Sequence, residues 1–281
     1  MKVVCTEKTQ ILGARVAGEL GAPLGEVKVS RFPDGELYLR ALNLDDETVI
    51  VSSLTDNDAF VELLLLIDAC EGSEVTLVLP YMGYARQDKR FHPGEPISVR
   101  AVAQALSRGL QRIVTVNIHE PAVLQYFRVP AENISIAPAV GAYLSSTGIA
   151  DPLILAPDDG ASAFARGVAS GAGWEYDHLE KTRLSGHEVR IEPKNLDVNG
   201  RSVVIVDDII STGGTLATAA EMLGELGALS IQAACVHGVF SGGGYARLIA
   251  AGFSDVASSD TIERGCSKFS AAHSIAGALR R

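Results

Sequence analysis

Short apolar runs alternate with amphipathic stretches along this chain. The runs are rich in Val, Ile and Leu and are too short for typical helices, so each predicts a buried β-strand. The predicted strands are residues 48–52, 74–79, 113–118, 153–156, 202–206 and 231–236. The stretches between them predict helices over residues 9–20, 58–71, 98–110, 138–147, 215–226 and 267–279. This alternation predicts an α/β fold with largely parallel sheets.

The pattern starts again in the second half of the chain. A strand and loop end at His119, and a fresh strand follows the 138–147 helix. We therefore expect two similar α/β halves, residues 1–145 and 146–281, each a largely parallel sheet flanked by helices. Ligands of open parallel sheets bind beyond the carboxyl ends of the strands, which is where the polar motifs of this chain fall.

Charge and composition narrow the range of ligands. The net charge of -10 argues against broad binding to nucleic acid or to an anionic membrane. Basic residues nevertheless cluster near Arg86 and Lys181, which points to small phosphorylated ligands. The four cysteines lack the spacing of a disulfide or zinc framework. No apolar run approaches the length of a membrane span, and we expect a cytoplasmic protein.

An acidic pair and a glycine-containing turn follow the strand VVIV within residues 203–215. Backbone N–H groups and hydroxyls of such a turn bind phosphate at a helix N-terminus, and the two carboxylates can bind ribose hydroxyls directly or through Mg²⁺. This order suits a sugar phosphate. The predicted binding residues are Asp207, Asp208, Ser211, Thr212, Gly213, Gly214 and Thr215. The alternative is that the pair only ends a strand and the turn only caps a helix.

The 203–215 segment resembles the phosphoribosyl-diphosphate loop of type I phosphoribosyltransferase folds. Members with this fold either make or consume phosphoribosyl diphosphate. The resemblance implies that both halves of the chain are phosphoribosyltransferase-like and that the loop binds ribose 5-phosphate. The direction of the reaction has to come from other motifs.

Two further motifs suit ATP. Residues 31–36, RFPDGE, are predicted to lie in a loop, and residues 84–90, YARQDKR, follow a strand. An aromatic face for stacking, acceptors for an exocyclic amine and donors for phosphate are all present. The predicted ATP-binding residues are Phe32, Asp34, Gly35, Glu36, Arg86, Gln87 and Asp88. Taken singly, the first motif is also a good β-turn and the second also a solvated face.

Together and in this order, the motifs resemble those of the ribose-phosphate diphosphokinase (phosphoribosyl diphosphate synthetase) family over nearly the whole chain. The resemblance implies transfer of the β,γ-diphosphoryl group of ATP to the anomeric hydroxyl of ribose 5-phosphate, with release of AMP, for nucleotide biosynthesis. It implies that Phe32, Asp34 and Glu36 reach the adenine bound to a neighbouring subunit, and hence a homo-oligomer. The short chain and Ser211, where Asp is common, resemble the compact archaeal-type members.

His119 and Asp158 each follow a predicted strand and could bind a metal or a phosphate. The resemblance assigns both to Mg²⁺ with ATP. A histidine at a strand end is often structural, and Mg²⁺ prefers oxygen ligands, so the role of His119 stays open. The role of Asp159 also stays open, because a second carboxylate repels a diphosphate unless a metal bridges them. His237, Gly238 and residues 259–262 resemble family positions near the nucleotide or the ribose phosphate.

Residues 180–186 form a polar, Gly-containing stretch that is long enough to cover a reacting phosphate. Lys181 and Arg183 would neutralise charge in the transition state. The resemblance makes Lys181 the catalytic lysine and Arg183 a second basic residue that also meets ribose 5-phosphate. The alternative is a solvated loop.

Two other functions remain to be weighed. A phosphoribosyltransferase shares the 207–215 loop but consumes phosphoribosyl diphosphate, and it leaves 31–36, 84–90 and the two-half chain unexplained. A non-catalytic regulatory relative would keep the fold, but the presence of Lys181, Arg183, His119 and Asp158 argues against it.

Overall fold

The computed structural model describes residues 1–183, 189–192 and 197–281, without the side chains of 181–183 and 189–192. The strands are β1 (Lys2–Cys5), β2 (Glu26–Arg31), β3 (Leu37–Leu42), β4 (Glu47–Val51), β5 (Glu74–Leu79), β6 (Arg112–Val116), β7 (Ala131–Ile134), β8 (Leu153–Ala156), β9 (Tyr176–His178), β10 (Glu180–Arg183), β11 (Val189–Glu192), β12 (Ser202–Ile210), β13 (Ser230–Gly238), β14 (Asp255–Ser259) and β15 (Ser267–Phe269). The helices are α1 (Gln10–Leu20), α2 (Asn57–Ala69), α3 (Ser98–Leu106), α4 (Ala137–Ser146), α5 (Ser162–Ser170), α6 (Gly214–Glu225), α7 (Gly244–Ala250) and α8 (Ala272–Leu279). None of these helices is long and apolar enough to cross a membrane.

The chain divides into two units. The first comprises Met1–Ser135, Asp260–Glu263 and Ser270–Arg281, and the second comprises Ile136–Ser259 and Arg264–Phe269. The first unit therefore ends before the division near residue 145 that the sequence pattern predicts, because α4 packs against α5 of the second unit. The end of the chain returns to the first unit, where α8 packs against α1.

The first unit is built on a five-stranded parallel sheet with the order β1-β4-β5-β6-β7. Its central strands are covered on both faces, which explains their continuous apolar sequences. Fully buried side chains such as Ile50, Leu77 and Ile113 pack with Leu63 and Leu66 of α2. Strands β2 and β3 form a separate antiparallel hairpin that packs on α2.

The second unit is built on a six-stranded parallel sheet with the order β15-β14-β13-β12-β8-β9. Strand β12 lies between β8 and β13, and residues such as Leu155, Val203 and Ile205 are buried in the core. Strands β10 and β11 form a second antiparallel hairpin. The predicted α/β fold with largely parallel sheets flanked by helices is confirmed.

Three predicted elements differ from the observed ones by four or more residues at one end. The strand predicted over 202–206 continues to Ile210, because its ladder with β13 extends past the apolar run. The helix predicted over 267–279 begins only at Ala272, because Ser267–Phe269 pairs with β14 as an edge strand. The helix predicted over 98–110 ends at Leu106.

Candidate functional site

Residues 211–215, which the sequence predicts to bind phosphate and which we call the phosphate loop, join β12 to the N-terminus of α6. Gly213 precedes the helix with φ of 73°, a left-handed conformation that favours glycine. The first N–H groups of a helix have no partner within the helix, and together with the helix dipole they form an anion site. The predicted loop thus has the backbone that phosphate binding requires.

The acidic pair lies inside β12 and not beyond it. Asp207 is paired with Cys235 of β13, and its Oδ1 accepts the N–H of Asp208 at 2.8 Å. Burial raises the pKa of the Asp207 carboxyl well above its usual value, and the carboxylates of Asp208 and Asp158 raise it further. The ionised form of such a carboxyl is stabilised when a cation or a hydroxyl donor approaches it.

Asp158 belongs to the same edge of this sheet. It follows β8, which pairs directly with β12 through Leu155 and Ile205. The structure therefore brings Asp158, Asp207, Asp208 and the phosphate loop together at the carboxyl ends of neighbouring strands. The side chain of Asp159 is exposed and lies near His178, with 3.9 Å between its Oδ1 and Nε2 of His178.

A second glycine-rich segment, residues 240–244, packs against the phosphate loop and was not predicted. We call it the 240 loop. Ser211 and Ser241 share a hydrogen bond of 2.9 Å between their hydroxyl oxygens. The signal in the sequence is the run SGGG, which begins three residues after β13 ends and contains no charged or nucleophilic side chain apart from one serine.

The 31–36 motif forms the tip of the β2–β3 hairpin. Phe32 donates its N–H to the carbonyl of Glu36 at 2.9 Å, and Gly35 adopts φ of 95°. The Phe32 ring is half exposed and meets Tyr38 edge-on at 5.7 Å between centroids. Asp34 and Glu36 are also exposed, so the tip presents its predicted ATP-binding side chains to the outside.

The 84–90 motif follows β5. Its bend begins at Tyr84, which has φ of 65° and whose hydroxyl donates to Oδ1 of Asn57. The side-chain oxygen of Gln87 accepts the hydroxyl of Ser98, so Gln87 also anchors the start of α3. Arg86 is exposed, and Asp88 is partly buried.

His119 follows β6, the strand next to β5, and therefore shares the sheet edge of the 84–90 motif within the first unit. Its side chain is exposed, and the preceding Ile118 donates its N–H to Oδ1 of Asn133 at 2.9 Å. His119 and Asp158 belong to different units. Over residues 1–183, 189–192 and 197–281, no group of three or more His, Cys, Asp or Glu side chains forms a ready metal site.

Lys181 and Arg183 lie on β10, where they pair with Ile191 and Val189 of β11. The 180–186 stretch therefore begins as a strand, although it was predicted to be a loop between elements. The two side chains, and residues 184–186 of the predicted cover, lie outside the described residues.

Residues 259–262 lie at the end of β14 and beyond it, and His237 and Gly238 end β13. His237, Asp260 and Thr261 are almost completely buried. Asp260 forms an ion pair with Arg15 at 2.6 Å, and both residues belong to the first unit.

Comparison with known proteins gives consistent results over the whole chain. Residues 1–109 match the N-terminal domain of ribose phosphate pyrophosphokinase, and residues 123–269 match the phosphoribosyl transferase domain. A ribose-phosphate pyrophosphokinase of Methanosarcina acetivorans is 49% identical over 285 residues, with 100% of both chains covered. That of Methanopyrus kandleri is 46% identical, with 99% of this chain and 98% of the relative covered.

A solved structure is similar over the same extent. The phosphoribosylpyrophosphate synthetase from Mycobacterium smegmatis superimposes with a TM-score of 0.84 at 29% identity, covering 99% of this chain and 97% of that one. Sequence and fold thus point to the same group of proteins.

Proposed function

Because the chain belongs to the ribose-phosphate pyrophosphokinase family, we propose that it transfers the β,γ-diphosphoryl group of ATP to the anomeric hydroxyl of ribose 5-phosphate. The products are 5-phosphoribosyl 1-diphosphate, a precursor for nucleotide biosynthesis, and AMP. The observation that carries this proposal is full-length similarity to enzymes of that name, and the phosphate loop after the acidic pair of β12 agrees with it.

Ribose 5-phosphate binds at the carboxyl edge of the second unit's sheet. The phosphate loop, with Ser211, Thr212, Gly213, Gly214 and Thr215, takes the 5-phosphate through N–H groups and hydroxyls. Asp207 and Asp208 accept the ribose hydroxyls. A loop that holds the acceptor in place lowers the entropic cost of the reaction. The anomeric hydroxyl of ribose 5-phosphate is itself the nucleophile, so no side-chain nucleophile is needed.

ATP binds through the hairpin tip and the 84–90 motif. Phe32 stacks on the adenine, Asp34 and Glu36 accept its exocyclic amine, and Gly35 shapes the turn. The ribose and phosphates of ATP contact Arg86, Gln87 and Asp88. The exposed tip supports an adenine site that is completed on a neighbouring subunit, and therefore a homo-oligomer whose mass in solution would test this point.

Asp158 and His119 are the residues that would hold Mg²⁺ with ATP. The donor set fits in part, because the carboxylates around Asp207 make the second unit's site electronegative. Asp158 and His119 each supply a single protein ligand within their own units, and Mg²⁺ commonly takes its remaining ligands from substrate phosphates and water. Bound Mg²⁺ would neutralise charge on the phosphate oxygens.

Lys181 and Arg183 supply positive charge as the bond to AMP breaks, and Arg183 also meets ribose 5-phosphate. The in-line attack by the anomeric oxygen on the β-phosphorus then needs only positioning and charge stabilisation. We further propose that the enzyme works in the cytoplasm.

One assay tests the proposal. The purified chain is supplied with ribose 5-phosphate, ATP and Mg²⁺, and AMP and phosphoribosyl diphosphate are measured together. Equal amounts of both products support the proposal. Consumption of added phosphoribosyl diphosphate with a nucleobase, without AMP formation, identifies a phosphoribosyltransferase instead.

The same assay separates a regulatory relative. Such a protein shows no turnover alone but changes the rate of a separate active synthetase when the two are mixed.

A further inference from the structure

The 240 loop follows β13 and turns back against the phosphate loop within the second unit. Three of its residues adopt the left-handed backbone conformation, since Phe240, Gly242 and Gly243 have φ of 47°, 58° and 76°. Phe240 donates its N–H to the carbonyl of Ile210, the last residue of β12, at 3.0 Å. The 240 loop is thus attached where the phosphate loop begins.

The two loops are in close contact beyond this bond. A Cβ placed on Gly244 would lie only 2.3 Å from the carbonyl oxygen of Ser211, so the close approach requires glycine there. On the other side, a Cβ on Gly213 would meet the carbonyl oxygen of Gly244 at 3.1 Å. The 240 loop therefore forms the surface on which the phosphate loop rests.

Arg247, on α7, bonds to both loops. Its Nη1 donates to the carbonyl of Thr212 in the phosphate loop, and its Nη2 lies 3.5 Å from the carbonyl of Gly242. A guanidinium group carries several donors in one plane, so a single side chain can hold two carbonyls at a fixed separation.

The bond to the Thr212 carbonyl also fixes the direction of an N–H group. The carbonyl of Thr212 and the N–H of Gly213 belong to one planar trans peptide and point in opposite directions. Glycine adopts positive and negative φ about equally well, so Gly213 does not by itself set which way this peptide faces. Arg247 supplies a constraint on this peptide from outside the loop, in addition to the packing of the 240 loop.

We propose that Arg247 is a positioning residue for ribose 5-phosphate, because it holds the peptide between Thr212 and Gly213 with its N–H directed away from Arg247. The inference rests on the proposed function in that it takes the phosphate loop as the ribose 5-phosphate site. Arg247 acts through the Thr212 carbonyl and not on the substrate. Its loss lets the peptide rotate, and rotation lowers the affinity for the sugar phosphate.

The test measures ribose 5-phosphate binding by titration calorimetry and turnover by AMP formation, with the full chain. Arg247→Ala should raise the Kd and the KM for ribose 5-phosphate about 10-fold, as expected for loss of a charge-assisted bond. The KM for ATP and the melting temperature should stay close to wild type. Arg247→Lys should recover part of the affinity, because an ammonium can donate to one of the two carbonyls.

Arg201→Ala is the matched control. Arg201 directly precedes β12, at the end of the strand opposite the phosphate loop, and pairs with Glu175 at 2.7 Å. This variant also removes an arginine from the second unit, and it should bind ribose 5-phosphate like wild type. An equal loss in both variants would mean that Arg247 contributes only general stability, and the inference would fail.

Unchanged ribose 5-phosphate binding in folded Arg247→Ala overturns the inference while the proposed function stands. If Arg247→Ala does not fold, Arg247→Lys and Arg247→Gln decide in the same way, because neither can bridge both carbonyls and both should weaken binding. Absence of AMP with wild type overturns the proposed function, yet wild-type binding that is lost in the variants still supports the inference. Wild type that does not bind ribose 5-phosphate overturns both.

Discussion

At the scale of single residues, the environment of Asp207 opposes its ionisation, although the proposed function needs an acceptor there. At Asp207, β12 pairs with Cys235 of β13, and burial together with Asp208 raises the pKa of the Asp207 carboxyl. A carboxylate in such a place is costly in the absence of a bound cation or hydroxyl donor. The strain of the unliganded site should therefore be measurable as lost stability.

We predict that Asp207→Asn stabilises the unliganded protein and weakens ribose 5-phosphate binding. The folded-state pKa lies above the unfolded value, so the folded state binds more protons, and the free energy of unfolding falls as pH rises between these two values. Asn keeps the shape without titrating. At pH 7 the variant should be more stable by about 1 kcal/mol or more, a difference that urea unfolding at pH 5 and pH 7 can resolve.

Asp45→Asn provides a control with the opposite sign. The hydrogen bond from Lys2 lowers the pKa of the Asp45 carboxyl, so losing this charge should slightly destabilise the protein at pH 7. A destabilised Asp207→Asn, or unchanged ribose 5-phosphate affinity in it, would contradict the prediction.

The candidate-site residues that the sequence predicts differ in their chemistry from those that it does not predict. Asp207, Asp208 and residues 211–215 are contiguous and combine charge with glycine, so a single segment is enough to suggest them. Ser241 and Arg247 come later in the chain and act on Ser211 and on a backbone carbonyl. No local sequence pattern predicts such contacts, because they form only when β12 and β13 become neighbours in the sheet.

At the scale of elements, the central parallel strands other than β14 were predicted from the sequence, and the hairpins were not. Strands β5 and β8 match their predicted bounds, because strands covered on both faces need continuous apolar runs. The β2–β3 hairpin alternates partly buried with exposed residues and was not assigned to strands. Its tip was recognised only through the chemistry of Phe32, Asp34 and Glu36.

We predict that Gly35→Ala raises the KM for ATP several-fold. Gly35 has φ of 95°, and no atom lies within 4 Å of an added Cβ, so the change acts through backbone strain of about 1 kcal/mol or more and not through a clash. The strain displaces the hairpin tip that presents Phe32. Steady-state kinetics with varied ATP measures the effect, while the KM for ribose 5-phosphate should change little.

Gly18→Ala is the matched control for this variant. Gly18 is exposed on α1 and also has no atom within 4 Å of an added Cβ, but its backbone is helical. Alanine should stabilise the protein by about 0.5–1 kcal/mol there and leave both KM values unchanged. If Gly35→Ala and Gly18→Ala had the same KM for ATP, the hairpin tip would not belong to the ATP site.

Lys181→Ala tests the β10–β11 hairpin. We predict that kcat falls by roughly 10²-fold or more while ribose 5-phosphate binding, measured by calorimetry, stays largely intact. This split is expected for a side chain whose charge is needed only as the bond to AMP breaks. Lys268→Ala, which changes an exposed lysine on β15, should keep near-normal turnover, and near-normal turnover in Lys181→Ala would refute its assignment.

At the scale of the whole molecule, the chain does not follow a simple succession of two halves. After β14, Asp260–Glu263 joins the first unit, Arg264–Phe269 belongs to the second, and Ser270–Arg281 joins the first again. An apolar periodicity predicts that a segment is buried, but it does not predict in which of the two units the segment is buried. The sequence pattern could therefore suggest two similar halves without revealing this return.

Polar contacts fix the returning segment within the first unit. Asp260 is almost fully buried, and its two oxygens accept Nη1 of Arg15 at 2.6 Å and the N–H of Ala271 at 2.9 Å. Glu263 accepts the N–H of Leu12 at 2.9 Å, and the carbonyl of Thr261 accepts the hydroxyl of Ser53 at 2.6 Å. Asp260 thus joins α1 to the residue that precedes α8.

We predict that Asp260→Ala lowers the free energy of unfolding by about 2–4 kcal/mol, because it leaves the Ala271 N–H without its acceptor and Arg15 without its partner. Asp260→Asn should cost less, since its side-chain oxygen can still accept the Ala271 N–H. Asp58→Ala removes an exposed carboxylate paired with Arg31 and should cost less than about 1 kcal/mol. Urea unfolding of the full chain measures all three, and equal losses in Asp260→Ala and Asp58→Ala would show that this buried contact does not hold the end of the chain on the first unit.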